Sequence, residues 1–223
     1  MKVAEPSELA RLYQEARERM VVMVTAFEED TLAEIVVPAC PRWSVRDVLA
    51  HVTATAEDWV AGRLTGPPTD DDTAAQVRRF DGHRLGDILG AWSEATLALD
   101  EMAETAGIPP PLGDIVSHEH DIRSALGQPG ARDISAVITV SDQLLTMLAP
   151  PVPLRVAVED AEYRVGPDSG AALLLRTKRF EAIRWRTGRR SRRQLAAMDW
   201  SDDPSAVLEH LYLFGPADDD IDD

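Results

Sequence analysis

Cysteine is nearly missing from this 223-residue chain: Cys40 stands alone, which excludes an internal disulfide framework and a thiolate metal cluster. Lysine is almost as scarce, with only Lys2 and Lys178, so the basic charge is carried by arginine. No apolar run reaches the roughly 18 residues that a membrane-spanning helix needs. The opening stretch, MKVAEPSELARLYQEARERM, is charged and amphipathic and has no signal-peptide core, so the expected location is the cytoplasm. Positive charge is short overall: 23 Lys and Arg face 39 Asp and Glu, a net charge of −16. Phosphate binding depends on clustered cations, so nucleic acid is excluded as an expected partner, and so is a membrane. Absent too are a GxxxxGK[ST] phosphate cradle, a GxGxxG turn after a strand and a GxSxG elbow.

What is present falls into two patterns. Over residues 1–130 apolar residues recur at helical spacing. A first helix carries Leu9, Leu12, Ala16, Met20, Met23 and Phe27 behind Ser7 as N-cap, and a connector rich in proline and β-branched residues runs from Thr31 to Trp43. A second helix starts at Ser44, where Ser44 and Asp47 make a capping-box pair, and ends near Gly62. After a surface loop from Gly66 to Thr73, a third helix carries Leu85, Ile88, Leu89, Trp92, Leu99 and Met102. A fourth begins near Leu112, after three prolines, and stops at the Gly127–Gly130 turn. Four helices with short to medium loops predict a four-helix bundle.

Residues 131–216 read differently. A helix over about Ser135–Leu148 is followed by LRVAVEDAEYRVG, which alternates with period two and predicts a hairpin, and AALLLRT predicts a third strand. Two short helices and a last one around Pro204–Leu213 complete a small α+β module, so the fold class is α+β overall. The acidic end, Ala217–Asp223, is expected to be solvated and disordered.

The chemistry rests on five histidines: His51, His83, His118, His120 and His210. On the second helix His51 flanks the apolar stripe of Val48 and Val52 and can point between helices. On the fourth, Asp114 and His118 are four residues apart and share a face. A carboxylate and imidazole at that spacing, with an imidazole from a facing helix, suit Zn²⁺ and leave one position open for water or substrate. Asp121, on the side of His118, is placed to orient an imidazole. His120 projects about 200° away from His118 and is expected to face solvent. Glu119 falls inside the apolar stripe and competes with Asp114 as the carboxylate ligand. Cys40 beside Pro41 reads as a small packed residue at a loop end more readily than as a nucleophile. The basic run RTGRRSRRQ (186–194) reads either as an anion site or as a solvated helix junction.

Three segments carry a family resemblance. CPRWSVRDVLAHV (40–52) resembles the "PxWtvrDlvaH" segment of the mycothiol-dependent maleylpyruvate isomerase family, within the DinB-like bundles. DIVSHEHDIRSALG (114–127) is similar to its "[ED]xxxHxxDxrxALG" segment, and RTGRRSRRQLAAMDW (186–200) to the end of its C-terminal module. The resemblance implies a DinB-like four-helix bundle followed by a sterol-carrier-like module, and a divalent metal, most often zinc, on His51, Asp114 and His118. It selects Asp114 over Glu119, although many members carry Glu there. It also implies an arginine important for activity within Arg189–Arg193, which makes Arg189, Arg190 and Arg193 the candidates. Finally, it implies mycothiol as thiol cosubstrate of an isomerase or S-transferase acting on a small electrophile that bears a carboxylate. The reading from another class is a non-catalytic metal- or thiol-binding protein with the same fold, a sensor or partner of another protein.

Overall fold

The structure is a computed structural model that describes residues 4–64 and 68–223. The chain divides into two compact units, Met1–Pro129 and Gly130–Asp223. Taken together the architecture is α+β.

In the first unit four long helices form the bundle: α1 (Pro6–Val24), α3 (Val45–Val60), α5 (Leu85–Thr105) and α6 (Leu112–Ala125). Short elements fill the connections: α2 (Glu29–Glu34), a hairpin of β1 (Val36–Val37) and β2 (Cys40–Ser44), and α4 (Asp70–Arg78). The helix α3 is central, packing on α5, α4, α2 and α6, while α1 packs on α5 and α6. Small side chains, Ala50, Thr53, Ala54 and Ala56, let neighbours come close, and α3 is buried almost continuously from Val45 to Ala56. Its start follows the sequence reading: Ser44 Oγ accepts from the Asp47 amide at 3.2 Å, and Asp47 Oδ2 accepts from the Ser44 amide at 2.9 Å.

Several local expectations are corrected. The first helix starts at Pro6 with Glu5 in the N-cap place, and Ser7 lies within its first turn. Proline at the first helical position needs no amide partner, so it outcompetes the hydroxyl as the start signal. The Thr31–Trp43 connector contains part of α2 and the β1–β2 hairpin. The loop expected over 66–73 is helical from Asp70, because Thr69 and Asp72 make a second capping box. Three aspartates in that first turn favour the positive end of the helix dipole. Gly66 and Pro67 of that expectation lie outside the described residues.

The second unit sets α7 (Ser135–Thr146), α8 (Arg179–Arg186) and α9 (Arg192–Ala196) with a sheet ordered β4-β3-β5-β6. The predicted hairpin is β3 (Leu154–Ala157) against β4 (Glu162–Val165), antiparallel. The third strand, β5 (Leu173–Arg176), runs parallel to β3. The two-residue strand β6 (Asp199–Trp200) pairs antiparallel with β5 and was too short to show a period. The core is Leu145, Leu154, Val156, Leu175, Trp185, Leu195, Val207 and Leu211. Where a helix was expected over Pro204–Leu213 there is only a 3₁₀ turn at Leu208–His210.

The acidic end is also corrected. Ile221 is buried, Asp223 accepts from Arg184 Nε at 2.8 Å and Nη2 at 2.7 Å, and Arg190 Nη1 donates to it at 2.7 Å. Composition alone counts five aspartates in seven residues; the isoleucine and two buried guanidiniums give the segment a place to dock.

Candidate metal centre

One turn of α6 brings Asp114 and His118 to the same face, and the buried middle of α3 brings His51 against them. His51 Nε2 lies 3.6 Å and His118 Nε2 3.7 Å from the same oxygen, Asp114 Oδ1. The two imidazoles meet edge to face with ring centroids 5.0 Å apart. One donor atom from each of the three residues lies within 4.8 Å of the other two. Donors at 2.0–2.1 Å from a tetrahedral zinc are roughly 3.3 Å apart. The observed spacing is too long for direct hydrogen bonds and close to that needed around one ion, so the residues present fit a divalent metal.

The electrostatics agree with ligand duty. His51 and His118 are buried, whereas the Asp114 side chain keeps 27% exposure, so the carboxylate is the most open of the three. Burial, the largest influence, holds the His118 imidazole below its ordinary pKa, against the opposing pull of Asp121 and Asp114. The neutral ring keeps a lone pair for a metal. Asp121 Oδ2 sits 3.0 Å from His118 Nδ1, which orients the ring with Nε2 toward Asp114.

Glu119, the competing carboxylate, is fully buried but engaged elsewhere. Arg19 of α1 grips it with two bonds of 2.8 and 2.7 Å, and Arg123 adds others of 3.0 and 2.9 Å. An acidic residue inside the apolar stripe is thus matched by two half-buried guanidiniums and ties α1 to α6. His120 is corrected: it is buried, because α6 is covered nearly all round from Ile115 to Ile122. Of the other histidines, His83 stacks edge-on against Phe80, and both His83 and His210 are exposed.

The hairpin supplies two residues the sequence reading left out of the site. Trp43 lies over His51 with ring centroids 4.9 Å apart, and Cys40 gathers with His118 and Asp121, donor atoms again within 4.8 Å. Tyr13 was missed as well: it accepts a 3.0 Å hydrogen bond from Trp92 Nε1, and burial together with the Asp114 charge drives its pKa up. A strand of five residues with two prolines nearby gives no periodicity by which Cys40 or Trp43 could have been placed.

The arginines of the basic run belong to the second unit. Arg190 is buried between Glu181, at 2.8 Å, and Asp223, at 2.7 Å. Arg193 is exposed and pairs with Asp220, while Arg192 pairs with Glu209. Arg189 donates to the Thr187 carbonyl at 2.6 Å. The carboxylates that pair with Arg190, Arg192 and Arg193 are thus Glu181, Asp223, Glu209 and Asp220.

Comparison with known proteins gives the following. Residues 13–116 match the family model described as the mycothiol maleylpyruvate isomerase N-terminal domain, a span that contains His51 and Asp114 and ends before His118. Among solved structures, a crystal structure of the mycothiol-dependent maleylpyruvate isomerase is similar with a TM-score of 0.51 at 13% identity, covering 85% of this chain and 90% of that one. A structure of a histidine-to-alanine mutant of that isomerase is similar with a TM-score of 0.50, at the same identity and coverage. At that identity the likeness is one of fold. A search of curated proteins gives no match. Among the described residues no helix is long and apolar enough to cross a membrane.

Proposed function

We propose, from the match of residues 13–116 to the mycothiol maleylpyruvate isomerase N-terminal domain model, that this chain is a cytoplasmic, metal-dependent enzyme. It uses mycothiol or a similar small thiol to isomerise, or to transfer sulfur to, a small electrophile that bears a carboxylate. The observation that carries this reading is the convergence of His51, Asp114 and His118 around a common point, with Asp121 behind His118.

His51, Asp114 and His118 would hold a divalent ion such as zinc, which would supply the Lewis acidity that lowers the pKa of a small thiol. The chain's own groups do the rest. His51 and His118 offer ring nitrogens, Asp114 offers charge, and Asp121 fixes the His118 ring and makes it a better donor. Trp43 shields His51 from water on one side. For isomerisation, addition of the thiolate sulfur to a conjugated double bond leaves a single bond free to rotate, and expulsion of the same sulfur restores the double bond. For S-transfer the carbon–sulfur bond persists.

Arg189, Arg190 and Arg193 are proposed to contribute the anion-binding part of this activity. What supports them is chemistry within the second unit, where Arg190 takes both oxygens of Glu181 through Nε and Nη2 at 2.8 and 2.9 Å, the planar grip suited to a carboxylate substrate. The test is turnover of maleylpyruvate by the zinc-loaded protein with and without mycothiol. Thiol-dependent isomerisation that vanishes in His51→Ala supports the reading. Stoichiometric metal with no turnover of any electrophile tried would leave the non-catalytic metal- or thiol-binding alternative in its place.

A further inference from the structure

The His118 ring has two sides, and the first position uses only one of them. Nε2 faces Asp114 at 3.7 Å, whereas Nδ1 faces Asp121 at 3.0 Å. The β1–β2 hairpin brings the thiol of Cys40 to the same neighbourhood: Cys40, His118 and Asp121 each offer a donor atom within 4.8 Å of the other two. Both α6 residues are buried, with Asp121 fully so, and Cys40 is half-buried. Sulfur, nitrogen and oxygen donors converging on one point are the ligand chemistry of a borderline or soft cation.

We propose that Cys40, His118 and Asp121 form a second cation position, sharing the His118 imidazole with the first and selective for thiophilic ions such as Zn²⁺, Co²⁺ or Cd²⁺. The two ring nitrogens point in opposite directions, so one imidazole serves both positions without either ion displacing the other. The incoming cation takes the place of the Nδ1 proton between His118 and Asp121. It also replaces the Cys40 thiol proton, and both protons leave to solvent. The hairpin gives this position its adjustable wall: Cys40 pairs with Val37 in a two-residue strand whose register shifts, and so approaches α6 on an irregular backbone. The position extends the metal reading: at His118 Nδ1 its ion takes the place that Asp121 alone holds when only the first position is filled.

Cobalt tests it directly, because thiolate-to-cobalt charge transfer absorbs in the near ultraviolet and Cys40 is the chain's sole thiol. Titration of the metal-free, reduced full chain with Co²⁺ is expected to produce that band. In Cys40→Ser the band should vanish while the visible cobalt absorption of the first position remains. In Asp114→Ala, where the first set is broken, the band should persist. Cd²⁺ on the same variants gives a second thiolate band, and circular dichroism confirms that each variant is folded. Three results would overturn the proposal: saturating cobalt with visible absorption but no thiolate band in the wild-type chain, a band that survives Cys40→Ser, or a band lost from folded Asp114→Ala. The last would make the thiol a fourth ligand of the first ion. Failure of the first position alone reads differently, as a thiolate band in the wild-type chain unaccompanied by any further cobalt uptake in Cys40→Ser.

Discussion

Asp121 carries no ligand role in the proposed first position, yet its carboxylate stands 3.0 Å from His118 Nδ1. Asp121→Asn is expected to weaken zinc binding by roughly 10–100-fold, the usual cost of removing an outer-shell carboxylate, with little change in fold. Competition with a chromophoric chelator measures this, and unchanged affinity would show that Asp121 is a packing residue. The same ring sets a pH dependence. Burial holds the His118 pKa below 6.5, so the unfolded chain takes up this proton more readily than the folded one. Its contribution to metal-free stability is therefore complete above about pH 6.5 and is lost as the pH falls through the lower folded value. Urea unfolding of the metal-free protein should show a steeper decline on acidification than His118→Gln does; equal slopes would contradict the assignment. Helical angles were enough to nominate His51, Asp114 and His118. They were not enough for Glu119 and His120, because an angle says which way a side chain leaves the helix and nothing about what waits there. Arg19, far away in sequence, turned an awkward acid into a buried ion pair.

The helix α3 carries His51 in its second turn, and its N-terminal cap decides how firmly that turn is fixed. Ser44→Ala removes the hydroxyl that accepts the Asp47 amide, so a loss of about 1 kcal/mol in unfolding free energy is expected. A change below a few tenths would show that the Asp47 side chain caps the helix alone. In the second unit α8 and its C-cap Thr187 are followed by Gly188, whose φ of +81° is left-handed and whose added Cβ would meet the Gly215 carbonyl at 2.8 Å. Gly188→Ala should cost at least the 1–2 kcal/mol of the left-handed backbone, read as a lowered thermal midpoint; an unshifted midpoint would mean that the helix end yields freely. Long elements were legible because many residues repeat one period: α1, α3, α5 and α6 all coincide with an apolar stripe. Elements of two to six residues, α2, β1, β2 and β6, hold too few repeats, and their existence depends on partners distant in sequence.

Across the molecule, two patterns of apolar spacing correspond to two compact units, Met1–Pro129 and Gly130–Asp223. Limited proteolysis is expected to cut first between Gly127 and Ser135, releasing fragments that keep their secondary structure; earlier cleavage inside α5 or α6 would argue against separate units. The net charge of −16 hid the fate of the acidic end, since charge counts cannot show that Asp223 meets Arg184 and Arg190. The central claim is that one divalent ion is held by His51, Asp114 and His118. It is tested most directly by elemental analysis of the chain in a Cys40→Ala background, which silences the second position. The account predicts one zinc or equivalent divalent ion per chain, retained in His120→Ala and lost in His51→Ala. Equal metal in the two histidine variants, or none in the parent, would contradict it.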